Sequence, residues 1–256
     1  MQIQFGSQSN QGMVRTSNED SFAADRDTHL FLVADGMGGH AAGEVASQIA
    51  AVTMAEVVGK SNDSESELEE ILREAAKEAN SRIYETQREK PELAGMGSTL
   101  TALSFRNNRY YIVQVGDSRA YLLRDGQLEQ LTRDHSLVWH LFESGILRKD
   151  ELSSHPQKNL ITRSIGPHPQ IEVDIERGDA HIGDVYLLCS DGLTDVLSDD
   201  DIREILAETK KSPQEICDLL VNMANANGGP DNITAIVVRL EPDDSAEPVF
   251  GKFSAS

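Results

Sequence analysis

Residues 100–126, LTALSFRNNRYYIVQVGDSRAYLLRDG, decide the fold class. Three apolar or alternating runs in this stretch, Leu100–Phe105, Tyr110–Val115 and Ala120–Leu123, are typical of strands. Asn107-Asn108 and Asp125-Gly126 have the composition of tight hairpin turns. Strands joined by such short turns pair in antiparallel fashion, so the stretch predicts antiparallel sheets rather than a parallel βαβ arrangement.

The same patterns continue on both sides of this stretch. Further strands are predicted at His29–Ala34, Val185–Cys189 and Ile233–Leu240. Helices are predicted over Gly43–Val58, over Ser64–Arg88 and from Ser212 onwards. The first has an apolar stripe, and each of the other two opens with a serine followed three residues later by a glutamate, the pattern of a capping box. Hairpin strands together with long helices predict antiparallel sheets flanked by helices.

The composition is that of one large globular domain of 256 residues. No apolar run reaches the roughly 18–20 residues of a membrane span. The N-terminus, Met1-Gln2-Ile3-Gln4, lacks the features of a secretory signal, so a cytoplasmic location is expected. The two cysteines, Cys189 and Cys217, form no CxxC pair, and Cys189, at the end of an apolar run, is interpreted as a buried reduced thiol.

The net charge is strongly negative, −20 from 43 acidic and 23 basic residues. Such a charge repels nucleic acid and anionic lipid, so neither nucleic acid nor membrane is an expected partner. It would also repel a phosphorylated substrate, unless cations bound at clustered carboxylates reverse the sign locally. Much of the acid is equally compatible with an ordinary solvated surface, and the chain is expected to be a monomer.

Four aspartates stand at the ends of predicted strands. Asp35, Asp117 and Asp191 each follow a strand, and Asp231 precedes one. In antiparallel sheets the end of one strand lies beside the start of its neighbour, so these four can meet at one edge. Each site taken alone is also what a tight turn requires. Converging carboxylates repel one another unless cations neutralise them, and oxygen ligands favour Mg²⁺ or Mn²⁺ over zinc.

Six short motifs occur in a recognisable order. They are Arg15-Thr16-Ser17-Asn18-Glu19-Asp20, Asp35-Gly36-Met37-Gly38-Gly39-His40, Gly97-Ser98-Thr99, Val115-Gly116-Asp117-Ser118-Arg119, Ser190-Asp191-Gly192-Leu193 and Gly229-Pro230-Asp231-Asn232-Ile233-Thr234. Over roughly residues 3–240 the chain resembles the metal-dependent type 2C serine/threonine protein phosphatases, particularly the compact bacterial members. The resemblance implies an α/β (α+β) fold with a central sandwich of two antiparallel β-sheets and α-helices on both sides, a four-layer αββα arrangement. It places the phosphatase domain at 1–240, a variable flap at about 135–166 and a tail, interpreted as disordered, at 241–256.

The resemblance also implies a set of metal ligands. They are Asp35, which would bridge two ions, the carbonyl of Gly36, then Asp191, Asp231 and the acidic pair Glu19 and Asp20, with Asp117 and Asp191 at a third ion. The ions would be Mn²⁺ or Mg²⁺, two at the core site and a third beside it. Arg15 would clamp the substrate phosphate, for which a guanidinium fork is well suited.

The expected reaction is hydrolysis of phosphoserine and phosphothreonine on cytoplasmic phosphoproteins. A hydroxide bridging two metals would attack phosphorus directly, so no phosphoenzyme is required. His40, five residues after Asp35, is the candidate general acid for the departing oxygen; the alternative is a histidine at the surface or one that only contacts a metal ligand. Ser118, Thr99 and Ser190 are interpreted as turn or packing residues rather than nucleophiles.

Three other functions fit the sequence less well. A phosphatase with a phosphorylated aspartate requires a second acid two residues later, and Met37 stands there instead. A regulatory phosphoprotein-binding module usually lacks a metal ligand, whereas Asp35, Asp191 and Asp231 are all present. A purely structural cation-binding domain would leave Arg15 and His40 without a role.

Overall fold

The chain forms two β-sheets and a set of outer helices in the computed structural model, which describes residues 1–38, 41–61, 67–152 and 154–243. The strands are β1 Gln2–Asn10, β2 Asp20–Asp25, β3 Leu30–Met37, β4 Gly97–Ser98, β5 Leu100–Arg106, β6 Arg109–Val115, β7 Arg119–Arg124, β8 Gln127–Gln130, β9 Asp174–Asp179, β10 Val185–Cys189 and β11 Ile233–Glu241. The helices are α1 Ala41–Lys60, α2 Leu68–Glu89, α3 Leu137–Glu143, α4 Asp191–Thr194, α5 Asp199–Leu206 and α6 Pro213–Ala226, with short 3₁₀ turns at Pro91–Leu93 and Lys149–Glu151.

Every strand pair in the described residues is antiparallel, as predicted. One sheet has the order β1-β11-β10-β7-β8, and the other has the order β2-β3-β5-β6-β9, with β4 also paired to β3. The hairpin turns have the expected left-handed backbone: φ is 54° and 56° at Asn107 and Asn108, and 51° and 77° at Asp125 and Gly126. Two successive positive φ angles match the right-handed twist of the flanking strands.

The layers follow from strands that are buried on both faces. In β3, Phe31 and Val33 point into a core between the two sheets, whereas Leu30 and Leu32 point into a core under α1 and α2. In the second sheet β11 alternates in the same way between the inter-sheet core and a core under α5 and α6. Burial on both faces explains the continuous apolar runs in the sequence. The fold is therefore the predicted helix–sheet–sheet–helix arrangement.

Some predicted boundaries are wrong. His29 has a φ of 53° and lies in the turn before β3 rather than in the strand. The strand then continues to Met37, because β4 pairs with its last residues. Glu67 precedes α2 as its N-cap and is not the third residue of a capping box. Ser64 and the tail from residue 244 lie outside the described residues.

Residues 135–166, between β8 and β9, form a segment that we call the flap. It contains α3 and a 3₁₀ turn. Isolated antiparallel bridges join Ser136 to Ile161 and Ile165 to Ser98, next to β4. The first bridge joins the two ends of the flap to each other, and the second attaches the flap to β4, beside the end of β3 that carries Asp35. In the described part of the chain, no helix is long and apolar enough to cross a membrane.

Candidate active site

The strand register brings the acidic residues to one end of the sandwich. Asp20 at the start of β2 pairs directly with Asp35 in β3. Asp117 lies in the turn between β6 and β7, and Cys189 at the end of β10 pairs with Arg119. Asp191 follows as the first residue of α4, and Asp231 precedes β11, whose Ala235 pairs with Cys189. The predicted convergence is therefore produced by the strand register, although Asp35 lies within its strand rather than after it.

Hydroxyl groups hold Asp20 and the backbone of Asp35. The side chains of Ser190 and Thr234 donate to Asp20 Oδ2 at 2.8 and 2.6 Å. The backbone N–H of Asp35 donates to Thr99 Oγ1 at 2.8 Å. Thr234 belongs to one sheet, Ser190 directly follows a strand of that sheet, and Asp20 belongs to the other sheet, so these bonds fasten the two sheets together at the site.

Burial, and then repulsion between neighbouring carboxylates, raises the pKa values of the acidic residues in the cluster. Burial raises the pKa of Asp20 to about 6, although the bonds from Thr234 and Ser190 oppose the rise. Burial, with repulsion from Asp134, raises the pKa of Asp117 to about 7. For Asp35 and Asp191 the pKa is raised well above its ordinary value by burial and then by the neighbouring carboxylates. The cluster is thus a region of concentrated negative charge.

Arg15 and Asp231 form the exposed edge of the cluster. The guanidinium donates to Asp231 Oδ2 at 2.6 Å, and the two side chains are 53% and 25% exposed. Asn232 holds the loop that carries Arg15 and Glu19: its amide donates to the carbonyls of Gln11 and Ser17, and its oxygen accepts from Glu19 N–H at 2.8 Å. Arg15 can therefore turn towards the solvent while the loop stays in place.

Gly36 permits a close approach between β3 and α1. A Cβ at this position would collide with the carbonyl of Gly43 and lie 2.6 Å from the Glu19 carbonyl oxygen. A Cβ at Gly43 would in turn collide with the Glu19 carboxylate. The two glycines therefore let the first turn of α1 pack against the acidic edge of the sheet.

Three carboxylate oxygens in the cluster are buried with no hydrogen-bond partner among the described residues: Asp20 Oδ1, Asp117 Oδ1 and Asp191 Oδ1. Buried acceptors are nearly always satisfied, so these oxygens indicate a missing positive partner. Oxygen-only donors of this kind fit Mg²⁺ or Mn²⁺. No group of three acidic, His or Cys side chains in the described residues has a ready-made metal geometry. Small side-chain rotations would therefore accompany binding, as expected of carboxylates that repel one another.

A cavity of about 230 Å³ opens beside the cluster, between the flap and helices α4 and α5. Asp117 and Asp191 lie in its wall, together with Trp139 from the flap. Two ion pairs close the cavity from the flap side, Lys158 to Asp195 at 2.7 Å and Lys149 to Asp199 at 3.4 Å. The acidic cluster is thus accessible from a pocket large enough for part of a small polar ligand.

The described residues place together all the predicted ligands, and Arg15 beside them; His40 lies outside the described residues. Sequence reasoning did not identify the residues that hold the carboxylates, namely Ser190, Thr234, Thr99 and Asn232. They stand within the six motifs, but their roles depend on contacts between distant strands. The interpretation of Thr99 and Ser190 as non-nucleophilic residues agrees with their hydrogen bonds to the acidic residues.

Comparison with known proteins gives a consistent result. A family model described as protein phosphatase 2C matches residues 13–227. The serine/threonine protein phosphatase PstP of Mycobacterium tuberculosis is 42% identical over 235 residues, which are 92% of this chain and 44% of that protein. The serine/threonine phosphatase stp of Listeria welshimeri is 38% identical, with 89% and 92% covered. The structure of the PstP catalytic domain in complex with two manganese ions aligns with a TM-score of 0.84 at 40% identity, covering 94% of this chain and 99% of that one.

Proposed function

The chain belongs to the protein phosphatase 2C family of serine/threonine protein phosphatases, and we propose that it hydrolyses phosphoserine and phosphothreonine on cytoplasmic phosphoproteins with Mn²⁺ or Mg²⁺ as cofactor. The chain spans 44% of the length of the mycobacterial relative and 92% of the Listeria relative. The proposal therefore concerns the activity of this domain. One observation carries it: three buried carboxylate oxygens from three different parts of the chain lack partners among the described residues, and the carboxylates lie close enough to repel one another.

The metal ions would be held by the carboxylates of the cluster. Asp35 pairs with Asp20 and is also repelled by Asp191, Asp117 and Asp231, which fits the bridging position, and Gly36 follows it in the same strand. Asp191 and Asp231 would complete the core pair, with Glu19 at its rim. The manganese ions in the PstP structure support this choice of cofactor. When bound, such ions neutralise the cluster and activate a water molecule for direct attack on phosphorus.

The chain's own residues bind and orient the phosphate. Arg15 stands at the exposed edge, where its guanidinium can leave Asp231 and donate two hydrogen bonds to phosphate oxygens. Asn232 fixes the loop on which Arg15 sits, so the clamp and the carboxylates keep a constant spacing. His40 remains the proposed general acid for the departing serine or threonine oxygen, on the sequence argument alone.

Asp117 is proposed to hold a third ion together with Asp191. Its buried Oδ1 has no partner in the described part of the chain, and both residues line the cavity below the flap. A third ion at this position would lie on the flap side of the core pair, where part of a substrate can enter. We also propose that the domain acts as a monomer.

The test is phosphate release from a phosphothreonine peptide with Mn²⁺, with a chelator as control. Manganese-dependent release is expected. Arg15→Ala should raise KM by about 10- to 100-fold, the equivalent of about 1.5–3 kcal/mol for hydrogen bonds to a charged group. Arg203→Ala, which removes a solvent-exposed guanidinium paired with Asp200, is the matched control and should leave KM unchanged.

The competing function is a regulatory module that binds phosphoproteins without hydrolysing them. It would give peptide binding but no release from folded protein that still binds Mn²⁺. That result would overturn the proposed enzyme activity. Equal KM values for the Arg15→Ala and wild-type proteins would overturn the proposed role of Arg15 in phosphate binding but not the enzyme activity.

A further inference from the structure

We propose that His135 is a positioning residue that fastens the flap to the turn carrying Asp117 and thereby orients that carboxylate. The inference rests on the proposed function, because it gives a purpose to the Asp117 site. Among the described residues, His135 makes no hydrogen bond to Arg15 or to the core carboxylates Asp35 and Asp231. Its effect on the reaction would pass through the backbone of Gly116.

The imidazole is a buried bridge with a defined tautomer. The backbone N–H of Gly116 donates to His135 Nδ1 at 3.2 Å, and the backbone N–H of His135 donates back to the Gly116 carbonyl at 2.8 Å. A nitrogen that accepts a hydrogen bond carries no proton, so the proton of the neutral ring is on Nε2. That nitrogen donates to Asp174 Oδ2 at 3.0 Å, and the residue is only 7% exposed.

The two ends of the flap meet at this bridge. His135 is the first residue of the flap, and its carbonyl accepts from Thr162 N–H, near the other end, at 2.8 Å. The next residue, Arg163, donates to Asp174 Oδ1 at 3.1 Å. Asp174 thus accepts from both ends of the flap, one through each carboxylate oxygen. A movement of either end is transmitted to the same imidazole.

The turn with Asp117 is held on its other side by the residue before His135. Arg119, two residues after Asp117, donates to both oxygens of Asp134 at 2.7 to 3.0 Å. Gly116 has a φ of 110°, and a Cβ there would lie 2.6 Å from a methyl carbon of Thr99. The turn is therefore closely packed and fixed at Gly116 and Arg119 by two consecutive residues. Between these anchors lies Asp117, buried and with Oδ1 unpartnered among the described residues.

Hydrogen bonds made by the residues around a metal ligand orient that ligand. The loss of one commonly weakens metal affinity by about 10- to 100-fold. The hydrogen bond from Gly116 N–H to His135 Nδ1 would orient Asp117 in this way, because Gly116 directly precedes Asp117. The bond from Nε2 to Asp174 serves the flap instead. The two bonds use different nitrogens, so substitutions can separate them.

Two substitutions of His135 separate the two bonds. His135→Asn retains an oxygen near the position of Nδ1 and so keeps the acceptor for Gly116 N–H, but loses the donor to Asp174. His135→Gln retains a donor near the position of Nε2 and loses the acceptor for Gly116. Asp174→Asn keeps an oxygen acceptor for Nε2 and serves as the control for the flap side.

The Gln variant is expected to raise the Mn²⁺ concentration for half-maximal phosphate release by about 10-fold and to lower kcat more than it raises KM. Calorimetry should show that this variant binds Mn²⁺ about 10-fold more weakly at the site with the lowest affinity. For the His135→Asn and Asp174→Asn variants, the half-maximal Mn²⁺ concentration should stay within about twofold of the wild-type value. This change is far smaller than the usual effect of losing a hydrogen bond that orients a metal ligand. A Gln variant that binds Mn²⁺ as the wild type does, or an Asn variant as impaired as the Gln variant, would overturn the inference.

A measurement on the wild-type protein covers the case in which a variant does not fold. The ¹⁵N shifts of the His135 ring in the metal-free protein should show the Nε2–H tautomer, with a coupling from Gly116 N–H to Nδ1. The Nδ1–H tautomer would refute the bridge regardless of any activity. If the wild type released no phosphate, the proposed function would fail, while the ring measurement and the calorimetry would still decide the inference.

Discussion

Replacing Asp20 by asparagine is expected to stabilise the metal-free protein above pH 7. The carboxylate is 8% exposed, and its Oδ1 has no partner among the described residues. An amide oxygen can still accept the bonds that Ser190 and Thr234 donate to Oδ2. The new NH₂ group would replace the unpartnered oxygen and face the negative charges of Glu19 and Asp231. The substitution therefore removes a buried charge and keeps its hydrogen bonds.

The size of the gain follows from the raised pKa. Burial first, then repulsion from Asp231 and Glu19, raises the pKa of Asp20 from 3.8 to about 6. A shift of about two pKa units corresponds to about 3 kcal/mol. Because the folded state holds the proton more tightly than the unfolded state, stability is greatest below pH 4 and falls as the pH rises towards 6. The variant avoids this loss, so its advantage should be about 2–3 kcal/mol at pH 8 and near zero at pH 4.

The assay is urea unfolding in the presence of a chelator at pH 4 and pH 8. Asp179→Asn is the matched control, because that side chain is 76% exposed, and it should change stability by less than about 0.5 kcal/mol. A variant no more stable than the wild type at pH 8 would refute the reasoning. In Mn²⁺ at about 1,000 times its dissociation constant the order should reverse, because the wild type then gains about 4.1 kcal/mol, which exceeds the advantage of the variant.

Further substitutions test other parts of the site. Asp191→Ala should lower turnover by at least about 100-fold in a protein with wild-type circular dichroism, and unchanged turnover would remove it from the metal ligands. Asp117→Ala should keep the core pair of ions but slow the reaction, whereas normal rates at saturating Mn²⁺ would make the third site incidental. Gly36→Ala should lower the melting temperature by several degrees, because its Cβ would collide with the Gly43 carbonyl; an unchanged melting temperature would contradict the close packing. A chelator should lower the melting temperature of the wild type, and added Mn²⁺ should restore it.

The central strands could be predicted because their signals are local. The turn at Asn107-Asn108 sets the register of β5 against β6, and the apolar run of β3 reflects burial on both faces. Edge strands have no such signal. The sequence of β1, QIQFGSQSN, is largely polar, and its nine residues form a strand because they pair with β11, more than 200 positions away. Charged β9, DIERGD, is ordered in the same way by pairing with β6.

The residues of the site also differ in whether local sequence predicts them. The acids could be predicted from their positions at strand ends, together with the order of the six motifs. The residues that hold them could not, because their partners are distant in the sequence: Asn232 reaches Gln11 across 221 positions and Thr234 reaches Asp20 across 214. The flap bridge at His135 was missed for the same reason. A histidine between Asp134 and Ser136 gives no sign that Gly116 and Asp174 will lie against it.

The groups around the carboxylates explain how the fold can tolerate so much negative charge and still leave room for cations. Hydroxyl donors from Ser190 and Thr234 satisfy one oxygen of Asp20 without cancelling its charge. An ammonium group within reach of Asp20 would instead neutralise the carboxylate and compete with Mn²⁺ for it. The guanidinium of Arg15 approaches only at the exposed edge, where solvent weakens its attraction to Asp231. The fold is thus less stable without cations than it is when they are bound. Across substitutions of the acidic cluster, metal affinity and the stability of the metal-free protein should therefore change in opposite directions.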